Sequence, residues 1–246
     1  MRTRNELSAK NRCLAAVLGP LLCAAAACTP NASSSPASTS SVSSAAETNA
    51  PSSGGAVSPV ATPGANAEVG KAAPDFTLKD LDGKATSLHD LRGKTVVLEW
   101  FNAECPFVRM SHTKGSLVGT AKRNMDKGVV WLAVSSSAPG KQGGGLDKNV
   151  EGKKTYSMPN PILLDESGDV GHAYGATNTP HMYVVDPAGV LVYKGAIDNS
   201  PDGEGESPTG GKLVNYVEAA LGDLAAGRPV AVKETKAYGC GVKYAK

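Results

Sequence analysis

The chain has 246 residues, of which 25 are basic, 23 are acidic and 41% are hydrophobic. Four of the basic residues and one acidic residue fall within residues 1–28, which leaves 21 basic and 22 acidic residues in the remainder. A nearly neutral remainder lacks the basic surface that nucleic acids and anionic membranes attract, so we expect neither as a partner.

Residues 1–28 have the pattern of an export signal. Four basic residues precede an apolar stretch, Leu14 to Ala27, which ends in small residues and is shorter than the ~20 residues of a membrane span. The run Ala25–Cys28 resembles the lipobox of bacterial lipoproteins, although Ala25 stands where leucine is preferred. The resemblance implies an exported lipoprotein of the periplasm or cell envelope, held at a membrane only by lipid on Cys28. The alternative is simple signal cleavage after an A-x-A site.

The composition of residues 29–67 differs from that of the rest of the chain. Ser, Ala, Pro, Thr and Gly dominate this segment, which has no aromatic residue and a single charge, Glu47. Such a segment buries too little apolar surface to offset its conformational entropy, so we expect a disordered linker. The predicted organisation continues with one domain over 68–228 and a tail over 229–246.

Hydrophobic periodicity and turn residues then predict an alternation of strands and helices. In chain order we expect a hairpin over 75–88, a buried strand over 95–101, a helix over 106–127, a buried strand over 129–134, a weak helix after the glycine-rich loop 139–145, a strand over 162–165, a short helix over 169–174, a hairpin over 182–195 and a helix over 209–226. This order predicts an α/β fold with a mixed central sheet flanked by helices, an N-terminal hairpin and an extended C-terminal tail.

Cys105 stands where the buried strand over 95–101 ends and the next helix begins. The positive end of a helix stabilises a thiolate, which is the form of cysteine that acts as a nucleophile or metal ligand. Pro106 occupies the first turn, where proline is tolerated. Cys105 is therefore the principal candidate for thiol chemistry.

Two segments around Cys105 resemble a known family. The chain resembles the thioredoxin-fold AhpC/TSA, or redoxin, family in two overlapping runs, KAAPDFTLKDLDGKATSLHDLRGKTVVLEWF and LEWFNAEC. The resemblance implies a thioredoxin-like fold in which a cis proline, here in Thr179-Pro180, faces the active cysteine. It also implies that Pro106, Phe107, Thr179 and Pro180 contact the substrate.

The chain departs from the patterns of thioredoxins and of typical peroxiredoxins. Val108 stands where thioredoxins have their second cysteine, and Asn102 replaces the threonine that accompanies a peroxidatic cysteine. The run Cys-Pro-Phe-Val resembles the peroxiredoxin-like subgroup with one cysteine at this site. This resemblance implies a thiol-disulfide oxidoreductase or peroxiredoxin-like antioxidant that needs no cofactor. Its expected partners are a peroxide or protein disulfide substrate and an exported thiol reductant.

Three side chains near Cys105 in sequence are candidates for assisting it. Strand alternation buries Glu99, where desolvation favours a proton acceptor; the alternative is a glutamate at a strand end that pairs with a lysine. Arg109 lies one helical turn from Cys105 and could stabilise its thiolate, or it is a solvated surface arginine. His112 lies about 10 Å along the helix axis, so we expect a surface or packing role.

Cys240 lies in the tail between two glycines, which permit close approach of the backbone. We expect it to be the resolving cysteine, which would pair with Cys105 and replace the missing neighbour. The alternatives are a static structural disulfide and a free thiol.

The histidines of the chain show no close metal-ligand spacing with either cysteine, and we assign no metal site. His181 follows Pro180 and could still approach Cys105 in space. A non-catalytic or copper-binding module, with Cys105, Cys240 and His181 as ligands, therefore remains the alternative function.

Overall fold

The computed structural model describes residues 66–246, and everything below concerns that part of the chain. The predicted export signal, Cys28 and nearly all of the predicted linker lie outside the described residues. The described elements are β1 (Thr77–Asp80), β2 (Ala85–Ser87), a 3-10 turn (His89–Leu91), β3 (Val96–Trp100), α1 (Pro106–Thr113), α2 (Thr120–Met125), β4 (Val130–Ser135), α3 (Leu146–Thr155), β5 (Ile162–Leu164), α4 (Asp169–Tyr174), β6 (Asn178–Thr179), β7 (His181–Val185), β8 (Leu191–Gly195), α5 (Tyr216–Ala225) and β9 (Cys240–Gly241).

Seven strands form one mixed sheet in the order β2-β1-β5-β4-β3-β7-β8. The central strand β3 is parallel to β4 and antiparallel to β7, and β4 is parallel to β5. Both predicted hairpins are present, as β1–β2 and β7–β8, and they form the two edges of the sheet. This is a thioredoxin-like fold, which confirms the predicted fold class.

Hydrophobic side chains cover both faces of the sheet. On one face, the ring of Trp100 lies 5.2 Å from Tyr174 and 5.0 Å from Tyr183, measured between centroids. On the other face, Val97 and Trp131 pack beneath α2 and α5. Since successive residues of a strand point to opposite faces, β3 contributes to both cores and is fully buried. The sheet thus holds the carboxyl end of β3, which leads directly to Cys105, in a fixed position.

The helix predicted over 106–127 is wrong in its extent, because the structure has two short helices there. The first ends at Thr113, and the second begins at Thr120. A Cβ atom at Gly115 would collide with the carbonyl oxygen of Gly203, and Gly119 has a left-handed backbone with φ of 66°. The chain therefore turns between the two helices where a loop from another part of the fold packs closely against it.

The last predicted helix is also shorter than expected, since α5 begins at Tyr216 rather than near residue 209. The side chain of Asn215 accepts a hydrogen bond from the backbone N–H of Glu218 and caps this helix. Gly210 and Gly211 both have positive φ, which is incompatible with a helix at those positions. Within residues 66–246, no helix combines the length and apolar character needed to cross a membrane.

Candidate active site around Cys105 and Cys240

The loop that follows β3 places Cys105 at the N-cap of α1. Asn102 shapes this loop, because its backbone carbonyl accepts a bond from Cys105 N–H at 3.0 Å and its side chain accepts one from Glu104 N–H at 2.9 Å. The first carbonyl of the helix is that of Cys105, which accepts from Arg109 N–H at 3.0 Å. Pro106 occupies the first helical position. The Cys105 side chain therefore lies at the positive end of α1.

The Cys105 thiol is fully buried and faces the segment before β7. Its Sγ donates a hydrogen bond to the carbonyl oxygen of Thr179 at 3.1 Å, and the Thr179–Pro180 peptide bond is cis. Thr179 and Pro180 are buried as well. The structure thus confirms the sequence-based expectation that a cis proline lies beside the candidate cysteine.

Strand pairing brings Cys240 to the same place. Strand β9 pairs antiparallel with β6, and Cys240 is directly opposite Thr179. Cys240 also packs against the small core cluster that contains Cys105, Val108 and Phe101. Both cysteines are free thiols, one buried and the other half-buried. The tail thus brings the second thiol next to Cys105, although 135 residues separate the two in sequence.

The environment of Cys240 keeps its thiol protonated. Burial, a hydrogen bond to Cys105 and the charge of Cys105 together raise the pKa of Cys240 to about 11, while Lys243 and the backbone N–H of Phe107 oppose the shift. A thiol with a raised pKa stays protonated at neutral pH and can therefore donate a hydrogen bond. In this arrangement the protonated Cys240 thiol lies within hydrogen-bonding reach of Cys105.

Glu99 lies inside the fold below α1, on the same face of the sheet as Val97. The residue is fully buried, and both of its carboxylate oxygens have partners. Oε1 lies 2.7 Å from Nε2 of His112, and Oε2 accepts a hydrogen bond from the indole N–H of Trp131 at 3.2 Å. The burial predicted from strand alternation is confirmed, whereas the alternative of a lysine partner at a strand end is wrong.

His112 connects this buried carboxylate with the outside of the fold. Its ring stacks on Tyr156 at 5.6 Å and packs edge-on against Phe101. The hydroxyl of Tyr156 donates to the carbonyl of Ala103 at 2.7 Å, in the loop that precedes Cys105. His112 and Tyr156 also line an open cavity of about 410 Å³. Sequence reasoning missed the pairing of His112 with Glu99, because the two residues meet only when α1 packs on the sheet.

Arg109, Pro106 and Phe107 lie around the opening of the site. Arg109 is exposed, and its charge partly opposes the burial that raises the pKa of Tyr156. Pro106 is exposed, and Phe107 is half-buried with its ring 6.4 Å from that of Tyr238. The structure therefore places Pro106 and Phe107 beside the two thiols, while Arg109 faces Tyr156 and solvent.

The glycine-rich loop before α3 is held against the same site through Glu104. The Glu104 carboxylate accepts hydrogen bonds from Lys148 Nζ at 2.8 Å and from Gly143 N–H at 2.6 Å. Lys148 and then Gly143 lower the pKa of Glu104. Gln142 adds a bond from its side-chain amide to the Glu104 carbonyl at 3.1 Å. These contacts fix the rim of the site at the glycine-rich loop.

His181 does not complete a metal site with the two thiols. Its Nδ1 lies 3.2 Å from the hydroxyl of Tyr183, and burial, assisted by the charge of Lys194, lowers the pKa of His181 to about 4. In the part of the chain that the structure describes, no three His, Cys, Asp or Glu side chains are arranged to hold a metal ion. The geometry thus gives no support to the copper-binding alternative.

The redoxin family model matches residues 68–211, which is more than half of the chain. The chain belongs to the redoxin family. It is 32% identical to the thioredoxin-like protein YneN of Bacillus subtilis over 123 residues, which cover 50% of this chain and 68% of that protein. It is 25% identical to the thiol-disulfide oxidoreductase ResA of Bacillus thuringiensis over 132 residues, or 51% of this chain and 68% of ResA.

A solved structure supports the fold assignment. The crystal structure of an uncharacterized conserved protein from Geobacillus kaustophilus superposes on this redoxin with a TM-score of 0.63 and 31% sequence identity. The match covers 77% of this chain and 98% of that protein. Redoxin relatives and fold together identify a thiol oxidoreductase scaffold, on which Cys105 and Cys240 are adjacent.

The raised pKa of Cys240 leads to a pH-dependent prediction. The rate of alkylation of Cys240, followed by peptide mass spectrometry, should rise with a midpoint near pH 11 in the reduced protein. In Cys105→Ser the hydrogen bond to the Cys105 sulfur and its charge are absent, so the midpoint should move to lower pH. Equal midpoints in the two proteins would show that the thiols do not interact.

Proposed function

We propose that this redoxin is a thiol oxidoreductase that alternates between a Cys105, Cys240 dithiol and the corresponding disulfide. The pairing of Cys240 with Thr179, whose carbonyl accepts the hydrogen bond from Cys105 Sγ, is the observation that carries the proposal. This geometry favours the resolving role over a free tail thiol. The naming of the relative ResA as a thiol-disulfide oxidoreductase supports the same reaction class.

In this proposal the two thiols act in a fixed order. Cys105 reacts first, because its sulfur lies at the positive end of α1, where a helix favours negative charge. Cys240 stays protonated at this stage, since its pKa is raised to about 11. Once Cys105 carries an adduct, its negative charge is lost, and one cause of the raised pKa of Cys240 is removed. Cys240 then becomes the nucleophile.

Either a disulfide or a peroxide can oxidise this pair of thiols. With a disulfide, the Cys105 thiolate attacks one sulfur and releases the other as a thiolate; Cys240 then attacks Cys105 Sγ and releases the second substrate thiolate. With a peroxide, Cys105 becomes a sulfenic acid with release of water or an alcohol, and condensation with Cys240 releases water. In both cases an external thiol reductant returns the protein to the dithiol.

Glu99 is the proposed proton acceptor for Cys105, and His112 is its positioning residue. A buried carboxylate with two N–H donors holds a fixed orientation below the helix that carries Cys105. His112 links Glu99 with the cavity of about 410 Å³, through which a proton can reach solvent. Arg109 is proposed to contribute only a distant positive charge, because it faces Tyr156 and solvent.

Export to the periplasm or cell envelope, with lipid on Cys28, is part of the proposal. It rests on the basic, apolar and small-residue pattern of residues 1–28. The mass of the mature N-terminus tests it: we expect a protein that begins at Cys28 with diacylglyceryl and acyl groups attached. An unmodified N-terminus, or a retained residue 1, would contradict lipidation.

The disulfide cycle predicts a defined product of oxidation. After one equivalent of hydrogen peroxide or of a small disulfide, non-reducing peptide mapping should show a Cys105–Cys240 linked peptide. In Cys240→Ser, Cys105 should instead accumulate as a sulfenic acid or mixed disulfide. The proposal would be falsified if Cys240 stayed alkylatable in the wild-type protein while Cys105 remained a mixed disulfide or, with a second equivalent of peroxide, was converted to sulfinate.

The proposed proton acceptor predicts a loss of rate without a loss of fold. Glu99→Gln should slow disulfide formation by ~100-fold, the usual contribution of a general base. His112→Gln retains an N–H donor for Glu99 but cannot pass a proton from Glu99 to the cavity, so it should also slow disulfide formation. His89→Gln, at an exposed histidine outside the site, is the matched control and should leave the rate unchanged. Unaltered rates in all three variants would remove Glu99 and His112 from the mechanism.

A further inference from the structure

The edge of β6 beside Cys105 is occupied by the chain's own tail. We call residues 234–244 the strap. Asn178 and Thr179 of β6 pair with Gly241 and Cys240, and beyond this ladder Val242 N–H donates to the carbonyl of Thr177 at 3.1 Å. An exposed strand edge is the place where an extended polypeptide adds to a sheet by backbone hydrogen bonds. Here the strap already uses those backbone groups.

The body of the fold is shaped to hold the strap closely. A Cβ atom at Gly239 would collide with the carbonyl oxygen of Thr179, so only glycine permits this approach. The side-chain amide of Asn178 donates to the Gly239 carbonyl at 3.0 Å. At the far end, Tyr244 stacks on His172 at 4.1 Å, and its hydroxyl donates to the Ala176 carbonyl at 2.8 Å.

A buried carboxylate anchors the strap just before Cys240. The hydroxyl of Tyr238 donates to Asp198 Oδ1 at 3.0 Å, and the same oxygen accepts from Ser200 N–H at 2.9 Å. The other oxygen of Asp198 accepts a hydrogen bond from Ser116. The neighbours thus hold Asp198 in place, and the ring of Tyr238 covers Phe107 at the start of α1.

From this arrangement we infer that the strap determines the size of the electrophile that Cys105 accepts. Cys105 has no exposed surface, and the half-buried Cys240 of the strap packs against the cluster that contains it. A small peroxide or low-molecular-weight disulfide needs only a local movement of Cys240 to reach Cys105. A polypeptide disulfide must first displace the strap from β6, so it reacts more slowly. The inference rests on the proposed role of Cys105 as the reacting thiol.

The test compares two disulfides that each contain a mercaptoethanol group. One is bis(2-hydroxyethyl) disulfide, and the other is an extended ten-residue peptide whose single cysteine carries the same mercaptoethanol group. In the wild-type protein Cys105 should react at least about tenfold faster with the small compound. The ratio of the peptide rate to the small-molecule rate should rise about tenfold in Tyr238→Phe, which removes one hydrogen bond of the strap, and further in Gly239→Ala.

A matched control and a second readout separate the strap from the redox proposal. Tyr216→Phe changes a tyrosine outside the strap and should leave the ratio unchanged. Alkylation of Cys105 by iodoacetamide and by a maleimide attached to the same peptide reports access without requiring a disulfide reaction. Hydrogen exchange over residues 238–242 verifies that the strap is loosened in the variants.

The possible outcomes are distinct. If wild-type Cys105 reacts equally fast with the small and the peptide reagents, or if the ratio stays constant in a variant whose strap exchanges faster, the strap does not select by size. If access by alkylation follows the strap but neither disulfide nor peroxide oxidises Cys105, the inference about the strap holds and the proposed function fails.

Discussion

The antiparallel contact between β6 and β9 is the interaction on which the candidate site depends. It places Cys240 opposite Thr179, whose carbonyl accepts the hydrogen bond from Cys105. Without this contact, Cys105 would have no second thiol beside it, since Val108 stands at the position of the usual second cysteine. A short ladder of backbone hydrogen bonds thus brings together two thiols that in a C-x-x-C pair are neighbours in sequence. The site consequently depends on the docking of the tail.

The interior below α1 imposes a second constraint. A buried carboxylate is costly unless hydrogen-bond donors surround it, and Glu99 meets this need with His112 on α1 and Trp131 on β4. The contact between Glu99 and His112 joins α1 to the sheet, and so it helps to fix where the N-terminus of α1 places Cys105. Asp198, which is also buried, has a comparable role beside the site, where it accepts a hydrogen bond from Tyr238 of the strap. Two acidic residues thus position the two elements that carry the thiols.

Much of the fold follows from local patterns. Continuous apolar runs located β3 and β4, short runs joined by turn residues located both hairpins, and strand alternation buried Glu99 correctly. The prediction of one helix over 106–127 was wrong at Gly115. This glycine lies against the backbone of Gly203, a contact that no local sequence pattern reveals. The role of His112 was missed for a related reason. Its partner Glu99 is 13 residues away in sequence, on an element of a different type.

The sequence by itself determined the fold class, the position of Cys105 at a strand-to-helix junction and the candidacy of Cys240. These features depend on short-range periodicity, on residue chemistry and on a family pattern, all of which are written along the chain. The tertiary structure alone decided that Cys240 lies opposite Thr179, that Glu99 pairs with His112 and that Tyr238 binds Asp198. Such contacts join residues far apart in sequence. They form only when the sheet fixes the distances between strands and the tail packs across their ends.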